Sequence, residues 1–246
     1  MKRHIFLLLL ILGCSVTKAW GVDPTALIKE SEDRIRSATA HSEITMIIES
    51  RRWKRTLKLE CWYKEGIKAR VIIHSPPKEE GIISLKVGDA LWNYFPNLNR
   101  SIRVHPSMIF QSWMGSDFTN DDFVHESSLI NDYTHTIEGI DNTDSGEAYR
   151  IILTPKHGAG VVWDRIIYLI SKTDHLPVRQ DFFDGKGNLI RTLTFYEIKE
   201  MDGKTLPTLW IMKYTGKEGK TILQIDKIKF RVEIPDDLFS LTGIEK

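Results

Sequence analysis

From Ser42 onward the apolar residues of this chain recur with a period of two, in thirteen short runs separated by turn-forming residues. No other feature restricts the fold so tightly, because period-two alternation bounded by polar, glycine-bearing punctuation specifies antiparallel strands. The first series spans 42–51, 54–64, 67–74, 81–87, 90–95 and 100–104, with hairpin punctuation at Lys64-Glu65-Gly66, Gly88-Asp89 and Pro96-Asn97-Leu98-Asn99. A second series follows at 131–139, 148–154, 163–171, 178–184, 189–199, 208–214 and 221–233, turning at Asp184–Asn188, Met201–Lys204 and Thr215–Gly219. Such a sheet cannot stay flat, so it curls and leaves an inner face that helices must cover or a ligand must fill. Alternation puts Leu57, Leu59, Cys61 and Tyr63 on one face and Lys58, Glu60 and Trp62 on the other; Trp92 and Tyr94 share a face, as do Ile167 and Leu169.

Two segments break this pattern. Asp23 followed by Pro24 signals a helix start, and Leu27, Ile28, Ile35 and Ala38 recur at helical spacing to about Ala40. Between the two series, His105 to Ile130 carries Met108, Ile109, Phe110, Trp113 and Met114 at near-helical spacing, a helical insertion suited to an adaptable apolar cover. The expected architecture is a half-open antiparallel β-barrel of about eleven strands, with an N-terminal helix and this insertion over its mouth. No linker or low-complexity tract divides the chain, so residues 20–246 read as one domain.

Residues 1–19 read differently. Lys2, Arg3 and His4 precede an apolar run from Ile5 to Leu12 and then small and polar residues to Ala19, which is the layout of a secretory signal peptide and too short to span a bilayer. The expected location is the periplasm, with an alternative in which Ile11-Leu12-Gly13-Cys14 acts as a lipobox and Cys14 anchors an outer-membrane lipoprotein. Losing Lys2, Arg3 and Lys18 takes the 34 basic residues to 31 against 33 acidic, a net charge of −2 that offers no field for nucleic acid. Cys61 then has no disulfide partner, and its strand setting reads as a small buried hydrophobe.

Signatures of catalysis and of cofactor binding are missing: there is no Gly-x-Ser-x-Gly, His-Glu-x-x-His, phosphate loop or dinucleotide-binding glycine motif, and the eight histidines make no ligand-spaced pair. The chain therefore reads as non-enzymatic, with no cofactor. Asp117, Thr119 and Asp121 open like a calcium loop, but Asp122 replaces its glycine and Ser128 its closing glutamate. Asp121, Asp122 and Glu126 read instead as acids in the first turn of a short helix. Seven tryptophans point to core packing or, as a group, to an apolar cavity.

Specific segments carry a family resemblance. Ser75-Pro76-Pro77-Lys78-Glu79-Glu80-Gly81, Leu91-Trp92-Asn93-Tyr94-Phe95-Pro96, Trp113-Met114-Gly115-Ser116-Asp117-Phe118, Asp174-His175-Leu176-Pro177 and the ending Ile234-Pro235-Asp236-Asp237-Leu238-Phe239 resemble the outer membrane lipoprotein-sorting protein family, similar in fold to LolA, LolB and RseB. That resemblance implies a half-open barrel over an apolar cavity, with Trp92, Tyr94, Trp113, Met114 and Phe118 marking its core or mouth. Together with Leu57, Leu59 and Tyr63 these are the expected ligand-binding residues, and Leu59→Arg is expected to abolish binding. The implied ligands are acyl chains of lipid or lipoprotein, and the implied partner is an inner-membrane exporter of the resistance-nodulation-division type. The alternative is an envelope-sensing or transporter-accessory interaction protein with a self-packed core.

Overall fold

The computed structural model describes residues 21–124 and 128–244, and the signal peptide, Cys14 and Glu126 of the sequence reading lie outside them. Helix α1, Pro24–Ile35, begins at Asp23, whose carboxylate accepts from the Thr25 amide at 3.0 Å, with Pro24 in the first turn where a missing N–H costs nothing. Leu27, Ile28, Ser31, Glu32 and Ile35 form its buried stripe. The helix ends at Ile35, five residues before the expected Ala40, because Arg36 turns extended and Thr39 already pairs with Lys64 in the sheet.

Every apolar run of period two becomes a strand. β1 (Thr39–Ser50), β2 (Lys54–Lys64), β3 (Lys68–Ser75), β4 (Ile83–Val87), β5 (Ala90–Phe95) and β6 (Arg100–Arg103) form one meander. After the insertion, β7 (Tyr133–Thr143), β8 (Gly146–Pro155), β9 (Arg165–Ser171), β10 (Pro177–Phe183), β11 (Leu189–Met201), β12 (Lys204–Tyr214) and β13 (Gly219–Phe230) form the other. The two join where β13 pairs antiparallel with β1, giving one sheet of thirteen strands in the order β6-β5-β4-β3-β2-β1-β13-β12-β11-β10-β9-β8-β7. The count exceeds the expected eleven, and the sheet stays open, with β6 and β7 as its edges.

Glycine is required at two of its turns. Asp202 and Gly203 both hold positive φ, 50° and 75°, in the tight connection of β11 to β12, the geometry that matches strand twist in a two-residue hairpin. Gly219 opens β13 with its α-carbon so close to β1 that a Cβ would meet the Glu49 carbonyl oxygen at 2.1 Å.

Inside the curl lies the main core. Leu57 and Leu59 of β2, Val71 and Ile73 of β3, Ile151 and Leu153 of β8 and Ile166, Tyr168 and Ile170 of β9 pack with Leu27 and Ile28 of α1 and with Trp113 and Phe118 of the insertion. Each fully buried aliphatic side chain there contributes about 1.5–3 kcal/mol. On the outer face the C-terminal segment folds back over β3 and β4. Ile234, Phe239 and Ile244, the last in the short helix Leu241–Ile244, close a second cluster with Ile83, Leu85, Trp62, Trp92 and Tyr94.

Candidate functional site

A cavity of about 320 Å³ remains on the inner face, within the roughly 300–1,000 Å³ range of small-molecule sites. Ile44, Cys61, Val71, Leu193, Trp210, Met212, Leu223 and Ile225 from the sheet form its floor, while Ile35 of α1, Phe118 and Leu129 of the insertion and Val161 to Trp163 of the β8–β9 connection form its rim. The strands supply these residues because every second side chain faces inward, and the smaller ones, Ala40, Ser42, Cys61 and Ala69, leave the space that larger ones would fill.

A buried ion pair backs this wall through three of its lining residues, Asp122, Trp163 and Phe182. Arg191 of β11 is 1 % exposed and forms a two-pronged ion pair with Asp122, Nη1 to Oδ2 at 2.8 Å and Nη2 to Oδ1 at 2.5 Å. Its guanidinium carbon lies 4.6 Å from the ring centroids of both Trp163 and Phe182. Burial alone would lower its pKa, but Asp122 and the Tyr214 hydroxyl outweigh that effect and hold it above the ordinary arginine value. The pair fixes α2 (Asn120–Val124) to β11 and is neutral as a unit.

The insertion runs as a strap across the inner face. Arg55 of β2 donates to the Met114 carbonyl and pairs with Glu79 at 2.7 Å; the Trp113 indole donates to Ser84 of β4 at 2.9 Å. At its other end, the Asp117 carboxylate accepts from Thr221 of β13 at 2.8 Å and from Lys217 at 2.7 Å. Thr119 and Asp122 then cap α2 reciprocally, the Thr119 amide to Asp122 Oδ2 at 2.7 Å and the Asp122 amide to Thr119 Oγ1 at 3.3 Å. Residues 113 to 122 thus touch both β4 and β11, which six strand spacings of about 4.8 Å would set roughly 29 Å apart in a flat sheet. Because this segment contains helical turns, it can bridge them only across a curled sheet.

The expected ligand-binding residues fall into three places. Tyr63 and Phe118 line the cavity. Leu57, Leu59 and Trp113 are buried in the main core, with Met114 packed against it, and none of these four is among the lining residues. Trp92 and Tyr94 pack on the outer face beneath the C-terminal segment, because the register runs Trp62 to Arg70 to Leu85 to Trp92 across the sheet and Trp62 points away from Leu59. Of the insertion's apolar residues, Met108 and Phe110 are exposed while Trp113 and Phe118 are buried, so they form no single cover. Sequence reasoning missed Arg191, Asp122, Trp163 and Phe182 as a unit. The signal was present in Arg191-x-Leu193-x-Phe195, a cation on the inward face of an otherwise apolar alternation.

Comparison with known proteins follows the same architecture. The model of a family described as "Uncharacterized protein" matches residues 66–246. Among solved structures, a DUF1329 family protein from Desulfovibrio piger superposes with a TM-score of 0.81 at 22% identity, covering 91% of this chain and 100% of its own. The outer membrane lipoprotein-sorting protein domain from Vibrio parahaemolyticus gives 0.78 at 19% identity, covering 91% and 98%, and a LolA superfamily protein from Nitrosomonas europaea gives 0.75 at 19%, covering 90% and 99%. No curated protein sequence matches the chain. The chain belongs to the family of the matching model, and its fold is LolA-like, the one these three solved structures share.

Proposed function

We propose that this protein is a non-catalytic periplasmic carrier that holds the acyl chain of a lipid or lipoprotein in its inner-face cavity. One observation carries the reading: apolar side chains from both meanders, the strap and α1 surround open space beside a packed core. A chain of about fourteen methylenes costs on the order of 11 kcal/mol to keep in water at roughly 0.8 kcal/mol each, so transit through an aqueous compartment needs such a shelter. Export by residues 1–19 belongs to the same proposal, as does a handoff to a membrane exporter of the resistance-nodulation-division type.

A second reading, a transporter-accessory or envelope-sensing interaction protein, draws on Ile102, Met108 and Phe110, which are exposed on and just after the edge strand β6. Native mass spectrometry of protein expressed with its leader separates the two. A carrier brings acyl-chain mass with it, removable by organic extraction; bare polypeptide in every preparation would favour the interaction protein.

A further inference from the structure

At the C-terminal end of α1 the apolar cavity meets a surface cleft. Arg36 and Ser37 line both, and the cleft is completed by Arg34, Lys204 and Arg231, with Asp33 the only carboxylate among its lining residues. The junction is built into consecutive residues. Phe230 lines the cavity and Arg231 lines the cleft, the chain turning between them through a left-handed Arg231 with φ 55°. Non-glycine residues adopt that conformation at a cost, which the surrounding packing must outweigh.

These cations differ in how they are engaged. Arg34 pairs with Glu30 at 3.2 Å and Arg36 with Glu32 at 2.8 Å. Lys204 donates to the main-chain carbonyls of Asp33, at 2.8 Å, and of Arg36, and its ammonium lies 4.6 Å from the Phe230 ring centroid. It thereby caps α1 without being neutralised by a carboxylate. Arg231 has no carboxylate partner among the described residues. Burial first, and then the neighbouring Arg231 and Arg34 against the opposing pull of Asp33, hold the Lys204 ammonium below its ordinary pKa.

We propose that this cleft receives an anionic headgroup, a phosphate or carboxylate, whose acyl chain enters the adjoining cavity, so that the ligand is a free anionic amphiphile. The inference rests on the carrier reading and narrows its ligand class. An uncharged glyceryl anchor gains nothing from the cleft, whereas a phosphate accepts several charge-assisted hydrogen bonds there.

The test uses the secreted protein and displacement of a bound fluorescent fatty acid. Dodecyl phosphate is compared with uncharged dodecyl maltoside and with inorganic phosphate, in the wild type and in an Arg34→Gln, Arg231→Gln variant. Both substituted side chains are solvent-facing, and Lys204 and Arg36 stay in place to hold α1. The expected result is about a tenfold preference for dodecyl phosphate over dodecyl maltoside, falling to near parity in the variant and at high salt, with the maltoside affinity unchanged. Parity in the wild type, or a preference that survives in the variant, overturns the headgroup site and leaves the carrier reading standing. Inorganic phosphate competing as well as dodecyl phosphate also overturns it, since the occupant would then be a free anion. Failure of the fatty acid and both amphiphiles to bind overturns the carrier reading, and the headgroup site with it.

Discussion

Arg191 concentrates the physical tension of the site in one side chain. A guanidinium removed from water is stable only while Asp122 neutralises it and Trp163 and Phe182 sandwich it. Asp122→Asn should therefore cost about 3 kcal/mol in urea unfolding, because the buried Arg191 is left without its counter-charge while the side-chain oxygen that caps α2 is kept, and the Arg191→Met, Asp122→Asn double variant should regain most of that loss. Equal destabilisation in both would mean that packing, not charge pairing, holds α2 to β11. A second residue-scale prediction concerns Glu60 on the outer face, which accepts from His41 at 2.8 Å and from His74 at 2.7 Å. Burial pushes its carboxyl up, but the two histidine hydrogen bonds outweigh burial and hold it below the ordinary value of 4.5. A lowered folded-state pKa contributes stability that is present above about pH 4.5 and is lost as pH falls through the folded value. Glu60→Gln should lower Tm at pH 7 and flatten its decline below pH 4.5; an unchanged acid limb would show that the cluster contributes nothing.

At the scale of elements, the strap decides how the inner face is covered. Asp117 ties it to β13 through Thr221 and Lys217, and it lies buried where water cannot replace those partners. Asp117→Ala should cost about 1–3 kcal/mol and should speed amide exchange in residues 108–122 beyond that of the sheet. Uniform exchange would show that strap and sheet open as one unit. This element also marks where the sequence stopped being legible. Thirteen apolar alternations gave all thirteen strands, because hairpin turns such as Asp202-Gly203 act locally and each pairs with its sequence neighbour. Alternation likewise put Leu57, Leu59 and Tyr63 on one face. It could not say that Leu57 and Leu59 sit under the packed core while Tyr63 reaches the open end of the same strand. Nor could it show that residues 234–244 would fold back over Trp92 and Tyr94, since that contact joins segments about 140 residues apart and has no local signature. The Trp113–Phe118 segment was visible as a motif; its work as a fastening across β2, β4 and β13 was not.

Across the whole molecule, two meanders joined at β1 and β13 make one curled sheet whose inner face is filled at one end and open at the other. The core residues around Leu57 and Leu59 make a poor probe of binding, because an arginine there would be an unpaired buried charge and would compromise folding. Leu223 is the better position: it is only partly buried, and its side chain lines the cavity from β13 at the junction of the meanders. Leu223→Trp should fill that space, at a cost in stability of about 1–3 kcal/mol that circular dichroism can measure separately. The most direct test of the central claim is titration of wild type and Leu223→Trp with a fluorescent fatty acid. The cavity account predicts saturable one-to-one binding by the wild type and at least a tenfold loss in the folded variant; undiminished binding by Leu223→Trp, or none by the wild type, would contradict it.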